Sequence, residues 1–395
     1  MEKSTMITLT FSLILIFLPS LTIGLSTYNV VSLGAKPDGK TDSTEVFVKA
    51  WNEACGSLGK SRIVVPEGRY LIQNAIKFDG RKCRSVAITF DVKGTLVAPS
   101  DFHALSSSAT WLWFDSVNGV TLSGGKFDGK GVSLWNCKMS GKGGCPKGAS
   151  TLAFTNSKNI VVRGLTSINS QLFHIVFNGC NNVKLQSVKV LASGNSPNTD
   201  GIHVQASNGV TIFKSKISTG DDCISVGAGT TDLWIEDILC GPGHGISIGS
   251  LAKDMNELGV ENVTVKDVTF VGTQNGVRIK SWARPSNGFV KKVVFQHCTM
   301  INVQNPIIID QNYCPSNKGC PGKESGVKIS DITYEDIHGS SATEVAVKFD
   351  CSSKHPCENI KLDNVKLTYK NQPSISSCTY ADGSTNGLIE PKGCL

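Results

Sequence analysis

The chain has 395 residues, 40% of them hydrophobic and 18% charged, with 40 glycines, 14 prolines and a formal net charge of +7. So little charge excludes a long solvated coil, the lack of a Gly-X-Y period excludes collagen, and plentiful β-branched residues exclude a disordered chain. At about 150 residues per domain, length alone would suggest two or three domains.

Met1-Glu2-Lys3 precedes an apolar stretch from Met6 to Leu21, and small residues follow at Gly24 and Ser26. A basic start, a short apolar run and a small-residue exit describe a secretory signal peptide over 1–24, cleaved between Gly24 and Ser26. Pro19 and the polar Thr and Ser residues break the run before about 20 clean apolar residues accumulate, which argues against a membrane anchor. No second run long enough to span a bilayer follows. A secreted, extracellular protein with no membrane partner is expected.

Asp42-Ser-Thr-Glu45 then opens a segment with apolar residues at Val46, Phe47, Ala50, Trp51 and Ala54. That spacing predicts an amphipathic helix with a capping-box start, placed as an N-terminal plug. From Asn118 onward a short unit recurs: a polar or glycine residue, alternating β-branched positions, then a second short strand. Its first apolar positions are Ile160, Val183, Val210, Leu233, Val263, Val293, Val327 and Ile360, in steps of 23, 27, 23, 30, 30, 34 and 33. Such a unit is too short for a βαβ crossover with a full helix. It cannot bury its apolar row alone, so neighbours must stack. The pattern therefore predicts an all-β chain wound as a parallel β-helix rather than a β-sandwich, which would show hairpin turns between strands. The tail from Asn371 reads as polar and Gly/Ser-rich. No linker divides 27–395, so a single parallel β-helix domain replaces the two or three suggested by length.

Fourteen cysteines fit an oxidising destination. Close spacing suggests local staples, with Cys137 near Cys145, Cys223 near Cys240, Cys314 near Cys320, Cys351 near Cys357 and Cys378 near Cys394. None has the paired CxxC spacing of a zinc site, and Cys180 and Cys298 are candidates for buried free thiols. Asn262-Val-Thr264 is an N-glycosylation sequon. Removing the signal segment takes away Glu2 and Lys3 together, so the mature charge stays at +7. A basic secreted protein suits an acidic partner such as a polyanionic polysaccharide. Nucleic acid is not expected, because no basic cluster with interleaved aromatics appears.

Four segments break the plain strand pattern: Asn198-Thr-Asp-Gly-Ile-His-Val204, Gly220-Asp-Asp-Cys-Ile-Ser-Val226, Gly243-His-Gly-Ile-Ser-Ile248 and Gly276-Val-Arg-Ile-Lys280. Aligning Ile202/Val204 over Ile224/Val226, Ile246/Ile248 and Val277/Ile279 puts Asp200, Asp222 and His244 in one register. Strand alternation then sends His203, Ser225, Ser247 and Arg278 outward in one row, with Lys280 on the same face. Coils about 4.8 Å apart make this a compact site. Gly201, Gly245 and Gly276 also share a register, where a side chain could obstruct a bound sugar. Repulsion among Asp200, Asp221 and Asp222 should hold at least one proton to unusually high pH, leaving an ionised pair to activate water. Arg278 and Lys280 would offset that charge and grip a substrate carboxylate. Paired carboxyls are what glycoside hydrolysis requires. Calcium is the competing use of an aspartate cluster, but two adjacent cations argue against it, and no metal or cofactor is expected.

NTDGIHV, GDDCISVG, GPGHGISIGS and RIK, in this order and at these spacings, resemble the four signatures of polygalacturonases, glycoside hydrolase family 28. Gly34-Ala-Lys-Pro-Asp-Gly-Lys-Thr-Asp42 resembles the family's N-terminal motif in plants. The overall pattern is closest to the plant pollen-type exopolygalacturonases. The resemblance implies a single-stranded right-handed parallel β-helix of the pectin-lyase-like kind and inverting hydrolysis of α-1,4-galacturonosyl linkages in de-esterified homogalacturonan. By the same resemblance Asp221 is the general acid and Asp200 and Asp222 activate water. His244 supports the acid, Arg278 and Lys280 bind substrate, Tyr313 lies near the sugar and Asn198 binds or orients. A monomer acting on pectin in the cell wall, by exo attack, is the expectation. Endo attack, rhamnogalacturonan or xylogalacturonan hydrolysis, a pectate or rhamnogalacturonan lyase, and a non-catalytic wall-binding protein are the alternatives. Unsaturated products would identify a lyase; binding without release of reducing sugar would identify the last.

Overall fold

A computed structural model describes Glu2 and residues 24–395 apart from Lys142 and Ser316. The expected signal peptide, Gly24 and Glu2 aside, lies outside the described residues. Parallel strands dominate, as the repeats predict, and among the described residues they assemble into two sheets of eighteen and eleven strands. The chain alternates between the sheets coil by coil, so successive strands of one sheet are neighbours in space. The eleven-stranded sheet begins at Ile76–Asp79 and ends at Ile375–Thr379.

Between the sheets lie their inward-facing side chains. Ile202, Ile224, Ile246 and Val277 are register partners, as are Val204, Val226, Ile248 and Ile279, and all eight are buried. Burying each such side chain contributes about 1.5–3 kcal/mol, so a one-residue slip that turned this row outward would be prohibitive. Nearer the N-terminus the same inward row is aromatic. Phe114 stacks on Phe154 at 4.8 Å and Phe154 on Phe177 at 5.5 Å.

The helix runs Thr44–Gly56 and buries Phe47, Ala50, Trp51 and Ala54, with Trp51 set among Phe78, Phe90 and Phe114. Its start differs from the expected capping box. Asp42 closes the strand Asp38–Asp42, so Ser43 becomes the N-cap without a side-chain cap bond. Asp42 still serves the helix start from one position earlier, accepting from the Thr44 N–H at 2.9 Å.

The register of the eighteen-stranded sheet matches the predicted unit from Ile160 through Val293. Beyond it, Val293 pairs with Ile332, not Val327, and Ile332 pairs with Ile360. The last two steps are therefore 39 and 28 residues rather than 34 and 33, because a loop after Asp310 lengthens that coil before the strand Lys328–Ser341. The polar residue that opens most units has a conformational cause. Asn159, Asn182, Asp232 and Asn262 all adopt positive φ near 55°, which asparagine and aspartate tolerate better than other side chains. Their side chains also join along the solenoid: Asn182 donates to Asn159 at 2.7 Å, and Asp232 accepts from Asn208 and Asn262. The sequon residue Asn262 is thus exposed, on the eighteen-stranded sheet.

The C-terminal segment is more ordered than a polar tail. Ile375–Thr379 and Ala381–Glu390 extend both sheets by a further coil. All five suggested cysteine pairs form disulfides. Cys137 joins Cys145, Cys223 joins Cys240, Cys314 joins Cys320, Cys351 joins Cys357 and Cys378 joins Cys394. A sixth bridge, between Cys55 and Cys83, was not expected from close spacing, since 28 residues separate its partners. Cys180 and Cys298 remain buried thiols.

Candidate active site

The outward row of the eleven-stranded sheet carries His203, Ser225, Ser247 and Arg278 as successive register partners. Asp200 and Asp222 precede the first two of these strands, Ile202–Gln205 and Ile224–Val226. Their turns are tied together, since the Gly201 N–H donates to the Asp222 carbonyl at 2.9 Å and the His244 N–H to the Asp221 carbonyl at 2.8 Å. The disulfide between Cys223 and Cys240 anchors the backbone directly after Asp222. Glycine is required here for a reason other than the expected clearance for sugar. A Cβ at Gly245, where φ is +85°, would lie 2.0 Å from the Asn275 carbonyl oxygen, so the next coil already fills that space.

Asp222 is the electrostatic hub, with only 2% of its surface exposed. Its Oδ1 accepts from the Arg278 guanidinium at 2.9 Å and from the Ser247 hydroxyl at 2.8 Å, and its Oδ2 from the Lys280 ammonium at 2.8 Å. Ser247 in turn accepts from Arg278 Nε at 2.9 Å. Burial pushes the Asp222 carboxyl up, but Lys280, Arg278 and the hydrogen bonds together outweigh burial and leave it below the ordinary carboxylate range. Asp200 is also buried but lacks such a clamp. Burial, then the charges of Asp221 and Asp222, push it well above that range, with Lys280 opposing only in part. The two shifts run in opposite directions, so of the pair Asp200 is the one that favours its proton and Asp222 the one that favours its charge.

Asp221 opens toward the surface, its side chain 19% exposed. Its Oδ1 contacts His244 Nδ1 at 3.1 Å and accepts the Asp222 N–H at 2.8 Å, and Asn198 Nδ2 donates to its Oδ2 at 3.4 Å. Tyr313 lies over the two cations, with Lys280 Nζ 5.2 Å and Arg278 Cζ 5.8 Å from its ring centre. All eight predicted catalytic and binding residues are thus gathered around one patch. His203 adds a partner that the sequence placed in the row without a role. Burial lowers its pKa, and its neutral ring bridges Ser225 at 2.8 Å and Gln205 at 3.2 Å. Trp282, edge-on to Tyr313 at 5.4 Å, was missed. The signal was present, for alternation from Arg278 and Lys280 carries on to residue 282.

Ligand atoms of Asp221, Asp222 and His244 come within 4.8 Å of one another, close enough to surround a cation. Both oxygens of Asp222 already serve Arg278 and Lys280, however, so a metal would compete with two fixed positive charges.

The two charge states set opposite pH dependences. An unfolded aspartate titrates near about 3.9. With a raised folded pKa, Asp200 makes stability fall as pH rises from there, because the unfolded chain releases a proton that the folded chain keeps. Asp200→Asn is therefore expected to raise the thermal midpoint at pH 7 and to raise it less at pH 4. An equal shift at both pH values, or none, would show that Asp200 carries no such penalty.

Carboxyls gathered beside two cations on a parallel β-helix are the arrangement that cleavage of an acidic polysaccharide calls for. The profile of glycosyl hydrolases family 28 matches residues 55–387, and the chain belongs to that family. A polygalacturonase of Prunus persica is 62% identical over 388 residues, covering 98% of each chain. An exopolygalacturonase of Platanus acerifolia is 41% identical over 372 residues, covering 93% of this chain and 97% of its own. In fold, a solved polygalacturonase from Erwinia carotovora ssp. carotovora superposes with a TM-score of 0.72 at 26% identity, covering 91% of this chain and 96% of that one.

Proposed function

We propose that this protein is a secreted cell-wall enzyme that hydrolyses α-1,4-galacturonosyl linkages of de-esterified homogalacturonan by single displacement, releasing galacturonate from chain ends. The observation that carries this reading is the gathering of three carboxyls on adjacent coils: Asp222 clamped by Arg278 and Lys280, Asp200 buried beside it, and Asp221 opening to the surface. Asp221, open to the cleft and flanked by His244 and Asn198, takes up a proton from solvent and donates it to the departing glycosidic oxygen as the glycosidic bond breaks. Asp222 and Asp200 hold the attacking water on the other side, and Asp222 accepts its proton. A uronate carboxylate arriving at Arg278 and Lys280 shares the positive charge that otherwise holds Asp222 down. Substrate binding thereby raises the basicity of Asp222 at the moment a base is needed. A neutral sugar leaves Asp222 fully clamped, which ties recognition of the acidic polymer to catalysis.

The plane exopolygalacturonase relative supports the exo reading. The test times monomer release against viscosity on polygalacturonate. Galacturonate should accumulate from the first minutes while viscosity falls slowly, and the products should be saturated. Early viscosity collapse would replace exo by endo attack, and ultraviolet-absorbing products would replace hydrolysis by elimination.

A further inference from the structure

The cationic face does not end at Tyr313. The loops that follow the strands Ile246–Leu251, Asn275–Ser281 and Asn305–Asp310 stack on one another as the strands do. The Trp282 N–H donates to the Leu251 carbonyl at 2.9 Å, the Tyr313 N–H to Ser281 at 3.1 Å and the Gly326 N–H to Arg284 at 2.8 Å. This stacking places Trp282 beside Tyr313 and the Arg284 guanidinium 5.1 Å from the Trp282 ring centre. Arg284 is exposed and, among the described residues, has no carboxylate within ion-pair distance. Lys253, near enough to weigh on the titration of His203, shares with Arg284 and Lys323 a depression of about 470 Å³, where Asp254 supplies the opposing charge. Within that depression three cations face one acid, and the half-buried Trp282 indole lies next to it through its contact with Arg284.

We propose that Trp282, Arg284 and Lys253 form a second carboxylate subsite of the cleft, which takes the uronate unit beyond the one held at Arg278 and Lys280. The inference rests on the galacturonan reading and deepens it. The indole stacks against the ring of the outer sugar, and Arg284 pairs with its carboxylate in the bidentate manner open to a guanidinium. None of these groups touches the scissile bond, so the subsite acts through binding and orientation.

Digalacturonate is too short to reach this subsite, whereas trigalacturonate and polygalacturonate reach it. Arg284→Gln is expected to lower kcat/KM on trigalacturonate about tenfold, chiefly through KM, and to leave digalacturonate within about twofold. Arg284→Lys should recover part of the loss, and added NaCl should weaken the wild type more than the Gln variant. Equal losses on both oligomers, or no loss on either, would overturn the subsite. Equilibrium binding of trigalacturonate to Asp221→Asn protein, with and without Arg284→Gln, needs no turnover. Weaker binding in the double variant supports the subsite even if no galacturonate is ever released, an outcome that would sink the hydrolase reading alone. Unchanged binding overturns the subsite whatever the activity.

Discussion

Asp221→Asn is expected to lower kcat on polygalacturonate by about 10²- to 10⁴-fold, the usual contribution of a positioned proton donor, while the fold is kept. The amide replaces a partly exposed carboxyl whose neighbours are His244, Asn198 and one backbone N–H, so little buried charge is left unpaired. An unchanged thermal midpoint with lost turnover is the expected pair of results. A galacturonide with a good aryl leaving group separates acid from base, because such a group departs without protonation. Activity on it should survive in Asp221→Asn and be lost in Asp222→Asn. If Asp200→Asn is instead the variant that survives, the proton donor is Asp200, the carboxyl that the site holds neutral.

Asp222→Asn is expected to cost both activity and stability. Arg278 and Lys280 are 8% and 6% exposed, and removing their shared partner strands two buried cations. Breaking a buried ion pair from one side costs about 3–5 kcal/mol, which should appear as a clear drop in the urea midpoint at pH 7. Because Asp222 is held below its unfolded pKa, its contribution is present above about pH 4 and fades as pH falls through its folded value. The gap between wild type and variant should therefore narrow in acid. A second change, Lys280→Met, should return part of the lost stability without restoring activity. Equal urea midpoints for wild type and Asp222→Asn would show that the clamp contributes nothing to the fold.

Much of the site was legible because a β-helix turns sequence into geometry through two simple periods. Inward apolar pairs such as Ile202/Val204 and Ile224/Val226 set the register, and the outward row from His203 to Arg278 followed by alternation. The charge state of each aspartate was not legible. Asp200 and Asp222 share a register but not a partner, and only side-chain placement shows that both cations reach Asp222. Short cysteine spacings were a sound guide, because a loop of six residues leaves Cys314 few partners but Cys320, and Cys351 few but Cys357. The bridge from Cys55 to Cys83 escaped notice because it ties the plug helix to a turn outside the repeats. The Val327 alignment failed because a Gly-Val-Lys-Ile string imitates the unit start, whereas the true start, Ile332, follows Asp331 at positive φ. The glycine register was found, but the neighbouring backbone that demands it belongs to a coil about thirty residues further on.

The reacting groups lie on, or in the turns just before, the fifth to eighth strands of the eleven-stranded sheet, with four strands before them and three after. In a solenoid each coil is held mainly by its two neighbours, so opening starts at the ends and advances coil by coil. A chemical centre placed midway is the last region that such fraying reaches. Wear at either terminus would consume several coils before it disturbed an aspartate.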